Sequence, residues 1–194
     1  MRTAALALSL SLLARFAFAE PAFPEERAKR PPFQLMATAF GGDGLRFNNP
    51  YRLSTPLGTN AESVSRTSAY VDLGLAVVLG DPRKVQHGFA ARLSFAVEGV
   101  PQGVLAPSYL VWWRPRPAWA AYARASLPIV LTPNVTWGVE GGVGGVWFFR
   151  AGLGAAAEIV GDVYYGAGTK DVKAAAYPVL SAQLGFVVAY EVLP

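Results

Sequence analysis

Eight charged side chains fall on the polar phase of segments that alternate with period two: the carboxylates Asp72, Glu98, Glu140, Glu158 and Asp162, and the guanidiniums Arg92, Arg114 and Arg124. Two chemistries are open to such a set. Arginines seated between acids form bidentate pairs, which neutralise charges that are costly to leave alone away from water. Alternatively, two neighbouring carboxylates, here Glu140 and Glu158, do acid/base work or line a narrow ion path. A hairpin centred on residues 132–134 makes Arg124 and Glu140 diagonal neighbours on one face. The next hairpin draws Glu140 toward Glu158, and Asp72 falls close to Arg92. The expectation is a network of arginines between carboxylates that closes the space it faces.

Other chemistry has little to stand on. The chain has 0 Cys and 1 His, so thiol catalysis, thiolate metal sites and His-based metal clusters are out of reach. His87 follows the Asp81–Gln86 turn with no Ser or Asp partner close in sequence, and reads as an ordinary turn histidine. There is no Gly-x-Ser-x-Gly elbow. The run Gly141-Gly142-Val143-Gly144-Gly145 lacks the Lys-Ser/Thr of a phosphate loop and lies inside a strand pattern, where it serves close packing or a bend. Asn134-Val135-Thr136 matches a glycosylation acceptor by chance. No catalytic residue, metal site or cofactor is expected.

The elements that must position these residues follow from composition and period. The chain has 194 residues, 53% hydrophobic and only 15% charged, against roughly 25% charged in soluble proteins. The 20 Gly, 15 Pro and 12% aromatic residues disfavour long helices and favour strands. Eight segments alternate, near 33–40, 67–79, 88–99, 106–114, 118–131, 135–148, 152–165 and 176–190. In the second, Val71, Leu73, Leu75 and Val77 share one face and Tyr70, Asp72, Gly74 and Ala76 the other. In the third, Phe89, Leu93 and Phe95 oppose Arg92 and Ser94; in the eighth, Leu180, Leu184, Phe186 and Val188 oppose Ser181, Gln183 and Gly185. A water-soluble barrel would put the small, sparsely charged face in solvent, where it would be too weakly charged to stay dissolved. The inverse assignment fits: bulky apolar side chains face hydrocarbon, and small residues with a few charges fill a narrow lumen. The fold class is therefore all-β, an eight-stranded antiparallel up-and-down transmembrane β-barrel, whose closure leaves no unpaired strand edge.

Aromatic residues mark both ends of this barrel. If the first strand runs outward from the periplasm, Phe33, Phe89, Trp112, Trp113, Trp119, Trp147, Phe148, Phe149 and Tyr190 form a periplasmic girdle. Phe40, Tyr109, Trp137, Tyr164, Tyr165 and Tyr177 form an outer one. Short turns at 81–84, 115–117 and around Arg150 lie on one side, and the long connection Gly41–Arg66 on the other. That connection carries Arg46, Phe47, Tyr51, Arg52 and Arg66, suited to polar and stacking contacts with a surface partner or anionic headgroups. Lys170 and Lys173, in the last outer loop, are placed to touch lipopolysaccharide phosphate.

At the N-terminus, Arg2, the apolar run Ala4–Leu13 and Ala17-Phe18-Ala19 read as a signal peptide over residues 1–19. A polar, Pro-rich periplasmic lead (20–31) and the barrel (32–194) follow. Cleavage removes Arg2 and Arg15, which lowers the formal charge from +4 to +2 and argues against nucleic-acid binding. Over residues 32–194 the alternation, size and girdles make the chain resemble the small eight-stranded outer-membrane barrels of Gram-negative bacteria, the OmpA-transmembrane, OmpX and OmpW-like type. The resemblance implies an outer-membrane location, no enzymatic activity, membrane lipid and lipopolysaccharide as surroundings, and insertion by the outer-membrane barrel assembly machinery. Such barrels commonly end in an aromatic residue; this chain ends Tyr190-Glu191-Val192-Leu193-Pro194, so Tyr190 or Phe186 would have to serve. The role expected is structural or interactive through the outer loops, with the surface partner unknown. The alternatives are a small transport barrel for apolar ligands and a soluble periplasmic lipid-binding barrel.

Overall fold

A strand with one bulky apolar face and one small, polar face satisfies both faces and all its backbone groups only in a closed sheet, and the chain folds into one. The structure, a computed structural model, describes residues 33–47, 64–82, 84–99, 101–132, 135–166 and 175–191. The expected signal and the Pro-rich lead lie outside these residues. Among the described residues ten strands are formed: β1 (Phe33–Arg46), β2 (Ser65–Arg66), β3 (Tyr70–Leu79), β4 (Val85–Ala96), β5 (Gly103–Arg116), β6 (Trp119–Ser126), β7 (Ile129–Thr132), β8 (Thr136–Arg150), β9 (Leu153–Gly166) and β10 (Ala175–Glu191). They make eight staves, because β2 only prolongs the β1–β3 hairpin, while β6 and β7 share one stave interrupted at Leu127-Pro128. Pro128 has no N–H to give to the ladder. Its carbonyl still accepts from Gly138 at 2.9 Å, so the stave stays joined to β8.

All neighbouring staves are antiparallel, and β1 pairs with β10 from Gln34↔Glu191 to Arg46↔Val179, which closes the cylinder. Short turns join β3–β4, β5–β6 and β8–β9 at one end. The tightest, Ala151-Gly152, needs Gly152 at φ 76°, and a Cβ there would strike the Ala189 carbonyl. The opposite end carries the longer connections and is called the loop end below.

The two faces are sorted as the alternation requires. Leu184 is 71% exposed on the outside, Leu75 70% and Phe89 68%, with Leu73 and Leu93 alongside, whereas Asp72 is 1% and Arg92 6% exposed. An exterior of this kind is stable against hydrocarbon and not against water. The inverse, soluble-barrel assignment is thereby excluded.

Strand limits differ from the sequence reading most at β1. Gly41-Gly42-Asp43-Gly44, expected to open the long loop, stays extended and paired with Leu184, Gln183, Ala182 and Ser181. Gly42 and Gly44 are there for space. A Cβ on Gly42 would sit 2.6 Å from the ring of Tyr70 on the adjacent strand, and one on Gly144 2.5 Å from that of Tyr122. Both are cross-strand pairs in register. An inward tyrosine folded over a bare glycine fills the lumen where two side chains would not fit.

Candidate functional site

Two layers fill the lumen. The charged layer is built by Asp72 of β3, Arg92 of β4, Arg124 of β6, Glu140 of β8, Glu158 of β9 and Gln183 of β10. Arg92 holds Asp72 with both arms of its fork, Nε to Oδ1 at 2.9 Å and Nη2 to Oδ2 at 2.5 Å. Ser94 adds a hydroxyl to the same carboxylate at 2.6 Å. The remaining arm of Arg92, Nη1, lies 3.5 Å from Glu140 and 3.9 Å from Glu158. Arg124 donates Nε to Glu158, pairs through Nη1 with Glu140, and reaches Ser126 at 2.8 Å. Gln183 donates to Glu158 at 2.6 Å while its carbonyl faces Arg92 Nη2 at 3.4 Å. Thus each guanidinium bridges two or more carboxylates from different strands, and the bidentate geometry suits burial. Gly142, inward on β8, leaves room for this arrangement, since a Cβ there would run into Glu158 and lie 3.0 Å from Arg124 Nε.

Toward the short-turn end an apolar layer follows, with Gln34 and Gln86 buried beyond it. Met36, Phe40, Ala76, Val78, Leu110, Trp112, Ala120, Val146, Phe148, Ala156, Val187 and Ala189 form one buried cluster. At its centre, Trp112 stacks on Tyr122 at 5.8 Å between centroids and meets Phe148 edge-on at 6.4 Å. Tyr122 joins the layers, its ring packed on Trp112 and its hydroxyl donated to Glu158 at 3.0 Å. At the outer edge of this layer the Arg114 guanidinium lies 4.3 Å from the Phe148 ring centroid and donates to the Pro117 carbonyl at 2.6 and 3.1 Å.

Of the eight charges read as one lumen network, the structure brings together Asp72, Arg92, Arg124, Glu140 and Glu158, with Asp162 one pair further toward the loop end. Arg114 is separated from them by the apolar layer. Glu98 lies past the end of β4 at the loop rim, 3.5 Å from Arg66 and accepting from the Ala69 N–H at 3.0 Å. The strand wall that would turn it inward has already ended. Tyr122, Gln183, Ser94 and Ser126 were missed as members. Neutral amides and hydroxyls leave no charge signal in a sequence, although Ser94 shares the phase of Arg92 on β4, Tyr122 and Ser126 that of Arg124 on β6, and Gln183 that of Ser181 on β10.

The aromatic residues are also redistributed. Trp119 and Trp147 stack at 6.3 Å near the short-turn end, and Trp137 and Tyr165 meet at 4.9 Å near the loop end. Phe33, Trp113 and Tyr190 lie at the short-turn end, with Trp113 and Tyr190 facing outward. Trp112 and Phe148, expected in a girdle, point inward. Tyr109 is not at the loop end: it pairs with Phe89, so the two stand at one height. Its hydroxyl meets Nδ1 of His87 at 2.6 Å, so His87 is a strand residue of β4 on the outer face rather than a turn histidine. Among the loop residues, Phe47 is exposed and Arg66 is exposed but held between Asp43 and Glu98. Arg46 is on the inward phase, its Nε buried. Tyr51, Arg52, Lys170, Lys173 and the Tyr177 side chain lie outside the described residues.

No protein-family model matches the sequence, and no curated protein does. Among solved structures, the barrel is similar to the crystal structure of Neisserial surface protein A, with a TM-score of 0.53 and 11% identity over 85% of this chain and 100% of that one. The fold is that of the small eight-stranded outer-membrane barrels. Two further barrels of this kind match at lower scores. OprG from Pseudomonas aeruginosa has a TM-score of 0.44 and 11% identity, covering 85% of this chain and 99% of its own. AlkL, determined in lipid bilayers, has a TM-score of 0.47 and 10% identity, covering 90% and 98%.

Proposed function

We propose that the chain is an exported, integral outer-membrane barrel whose lumen is closed, with both ends of the barrel chain on the periplasmic side. Its role is structural or interactive, exercised through the loop end. The observation that carries this reading is the stacking of two solvent-excluded layers across one narrow lumen: Gln183 and Asp72 in the charged layer, and Val146 and Phe148 in the apolar one, are almost completely buried. An ion would have to break paired charges and then cross a dry apolar stretch.

The same geometry argues against catalysis by the lumen carboxylates. Glu140 and Glu158, the best-placed pair, are bound by Arg124 rather than open to a substrate. Passage of apolar ligands along the axis is opposed by the charged layer. Lipid and lipopolysaccharide are the surroundings this exterior suits, and the barrel assembly machinery is the partner its export requires.

Planar-bilayer recording of the purified barrel tests the closed lumen. The expected result is no steady conductance. A steady, large conductance contradicts it.

A further inference from the structure

At the short-turn end the outer wall carries an aromatic and cationic rim. Trp119 stacks on Trp147, which Phe149 meets edge-on at 6.1 Å between centroids. The β5–β6 and β8–β9 turns lie side by side here, the Phe148 N–H donating to the Ala118 carbonyl at 2.8 Å. Arg116 leads into the first turn and Arg150 into the second, both exposed. Among the described residues this end carries Lys84, Arg114, Arg116 and Arg150 against Asp81 and Glu191. The loop rim is balanced, with Arg46 and Arg66 against Asp43 and Glu98. The positive excess therefore sits at the short-turn end.

Beside this rim the outer face is unusually bare. Gly141, Gly145 and Gly161 have no φ in the left-handed region. A Cβ on Gly141 or Gly161 would meet none of the described residues within 4 Å, and one on Gly145 would make only an ordinary contact, 3.7 Å from the Ala120 carbonyl. Glycine weakens a strand, and where neither a turn nor an inner neighbour requires it, it marks close approach from outside. These glycines fall in two rungs across neighbouring staves, Ala121–Gly145–Ala157 and Ala125–Gly141–Gly161. Bulkier residues in register wall the rungs, Trp113 and Tyr109 on β5, Leu184 and Leu180 on β10. The result is a shallow apolar trough down β6, β8 and β9, crossed midway by Val143 and Ile159. It opens past Ala155, beside the stacked indoles.

We propose that this sector seats one phospholipid with an anionic headgroup. Arg116 and Arg150 take the headgroup, the indoles of Trp119 and Trp147 lie level with the glycerol, and an acyl chain lies in the trough. The inference rests on the outer-membrane reading above, which puts the short turns, and so the occupant, in the periplasmic leaflet. Guanidinium groups hold phosphate through paired N–H donors. Amphipathic rings favour the headgroup level, and a methylene chain packs closest where the wall has no side chains. A second copy of the barrel fits less well. Two copies inserted in the same sense meet at equal heights, so Val143 and Ile159 of one oppose Ile159 and Val143 of the other and hold the bare rungs apart.

The test refolds the full barrel into phosphatidylcholine vesicles with rising fractions of phosphatidylglycerol brominated on its acyl chains. Tryptophan fluorescence is read against the same series made with brominated phosphatidylcholine. Half-maximal quenching should come at a roughly fivefold to thirtyfold lower fraction of the brominated phosphatidylglycerol, the preference that one or two basic side chains beside a charged headgroup provide. Combining Arg116→Gln with Arg150→Gln should remove most of that preference, and Lys84→Gln, on the β3–β4 turn, should keep it. Gly145→Leu, which fills the trough and leaves the rim charged, should weaken it. Equal half-quenching fractions for the two lipids overturn the proposal, as does a preference untouched by the double variant or equally lost in Lys84→Gln. Should the double variant not insert, Arg116→Gln alone decides in the same way. Quenching that is weak with both lipids and falls as the barrel is concentrated marks a second copy in the trough and overturns it too. Insertion is scored separately by the gel shift between unheated and boiled protein. A barrel that inserts without the preference defeats this inference alone, whereas one that does not insert defeats the outer-membrane reading with it.

Discussion

Replacing Arg124 by methionine keeps most of the side-chain stem and removes the charge. Glu158 then retains its bonds from Gln183 and Tyr122 and the Arg92 arm at 3.9 Å, and Glu140 only that same arm at 3.5 Å. Removing one partner of a buried ion pair costs about 3–5 kcal/mol, because the other charge stays buried and unpaired. Two acids are orphaned here, but each keeps some donors, so the expected loss for Arg124→Met is about 3–5 kcal/mol, and not twice that. In folding equilibrium this is a loss of roughly 10²- to 10⁴-fold. The assay is a urea titration of the micelle-embedded barrel, scored by the fraction that migrates as folded on an unheated gel; the midpoint should fall with little change in slope. The rim provides an internal control. Arg66 also sits between two acids, Asp43 and Glu98, but in solvent, so Arg66→Met should leave the midpoint unchanged within error. Adding Glu140→Gln and Glu158→Gln to Arg124→Met should recover most of the loss, because no charge is left unpaired. If Arg124→Met behaves like Arg66→Met, or the triple variant is no better than the single, the reasoning from a buried, mutually neutralised network is refuted.

Gly142→Ala forces a Cβ into Glu158 and Arg124 and should cost about 1–3 kcal/mol, whereas Gly141→Ala, outward with open space around it, should be neutral or slightly stabilising; the same urea titration separates them. Trp112→Ala should cost about 3–5 kcal/mol and still give no steady current in planar bilayers, since the charged layer continues to close the lumen. Leu75→Arg, outward on β3, should cost about 2–4 kcal/mol in lipid, and Tyr190→Arg, at the end of β10, about 0–1 kcal/mol, read as midpoints of refolding into vesicles.

The orientation of every stave was legible because one residue in two is bulky and apolar over most of the segments, and only hydrocarbon outside the barrel accepts that pattern at so low a charge. The central ion pairs were legible for the same reason: the hairpin at 132–134 fixes Arg124 diagonal to Glu140. Adjacent aromatics were harder. Trp112-Trp113 and Trp147-Phe148-Phe149 look like a girdle by position, yet strict alternation sends one of each neighbouring pair inward. The phase that puts Arg114 in the lumen also puts Trp112 there, so the signal for an apolar layer was present in the spacing. Strand length was illegible where glycine served space instead of turning: Gly42 lies under Tyr70, a contact made across strands that no local pattern announces. Glu98 went astray because a period says which face a residue takes and not where the wall stops.

Which side chains face lipid and which face the closed lumen is reported directly by spin labels on single cysteines. The chain has 0 Cys, so one label per variant is unambiguous. Labels at Leu75 and Leu184 in vesicles should be relaxed strongly by oxygen dissolved in the bilayer and hardly at all by a water-soluble nickel reagent. A label at Ser181, inward near the charged layer, should be shielded from oxygen in the bilayer. Oxygen relaxation of the Ser181 label matching that at Leu75, or strong nickel relaxation at Leu75 and Leu184, would contradict the arrangement described.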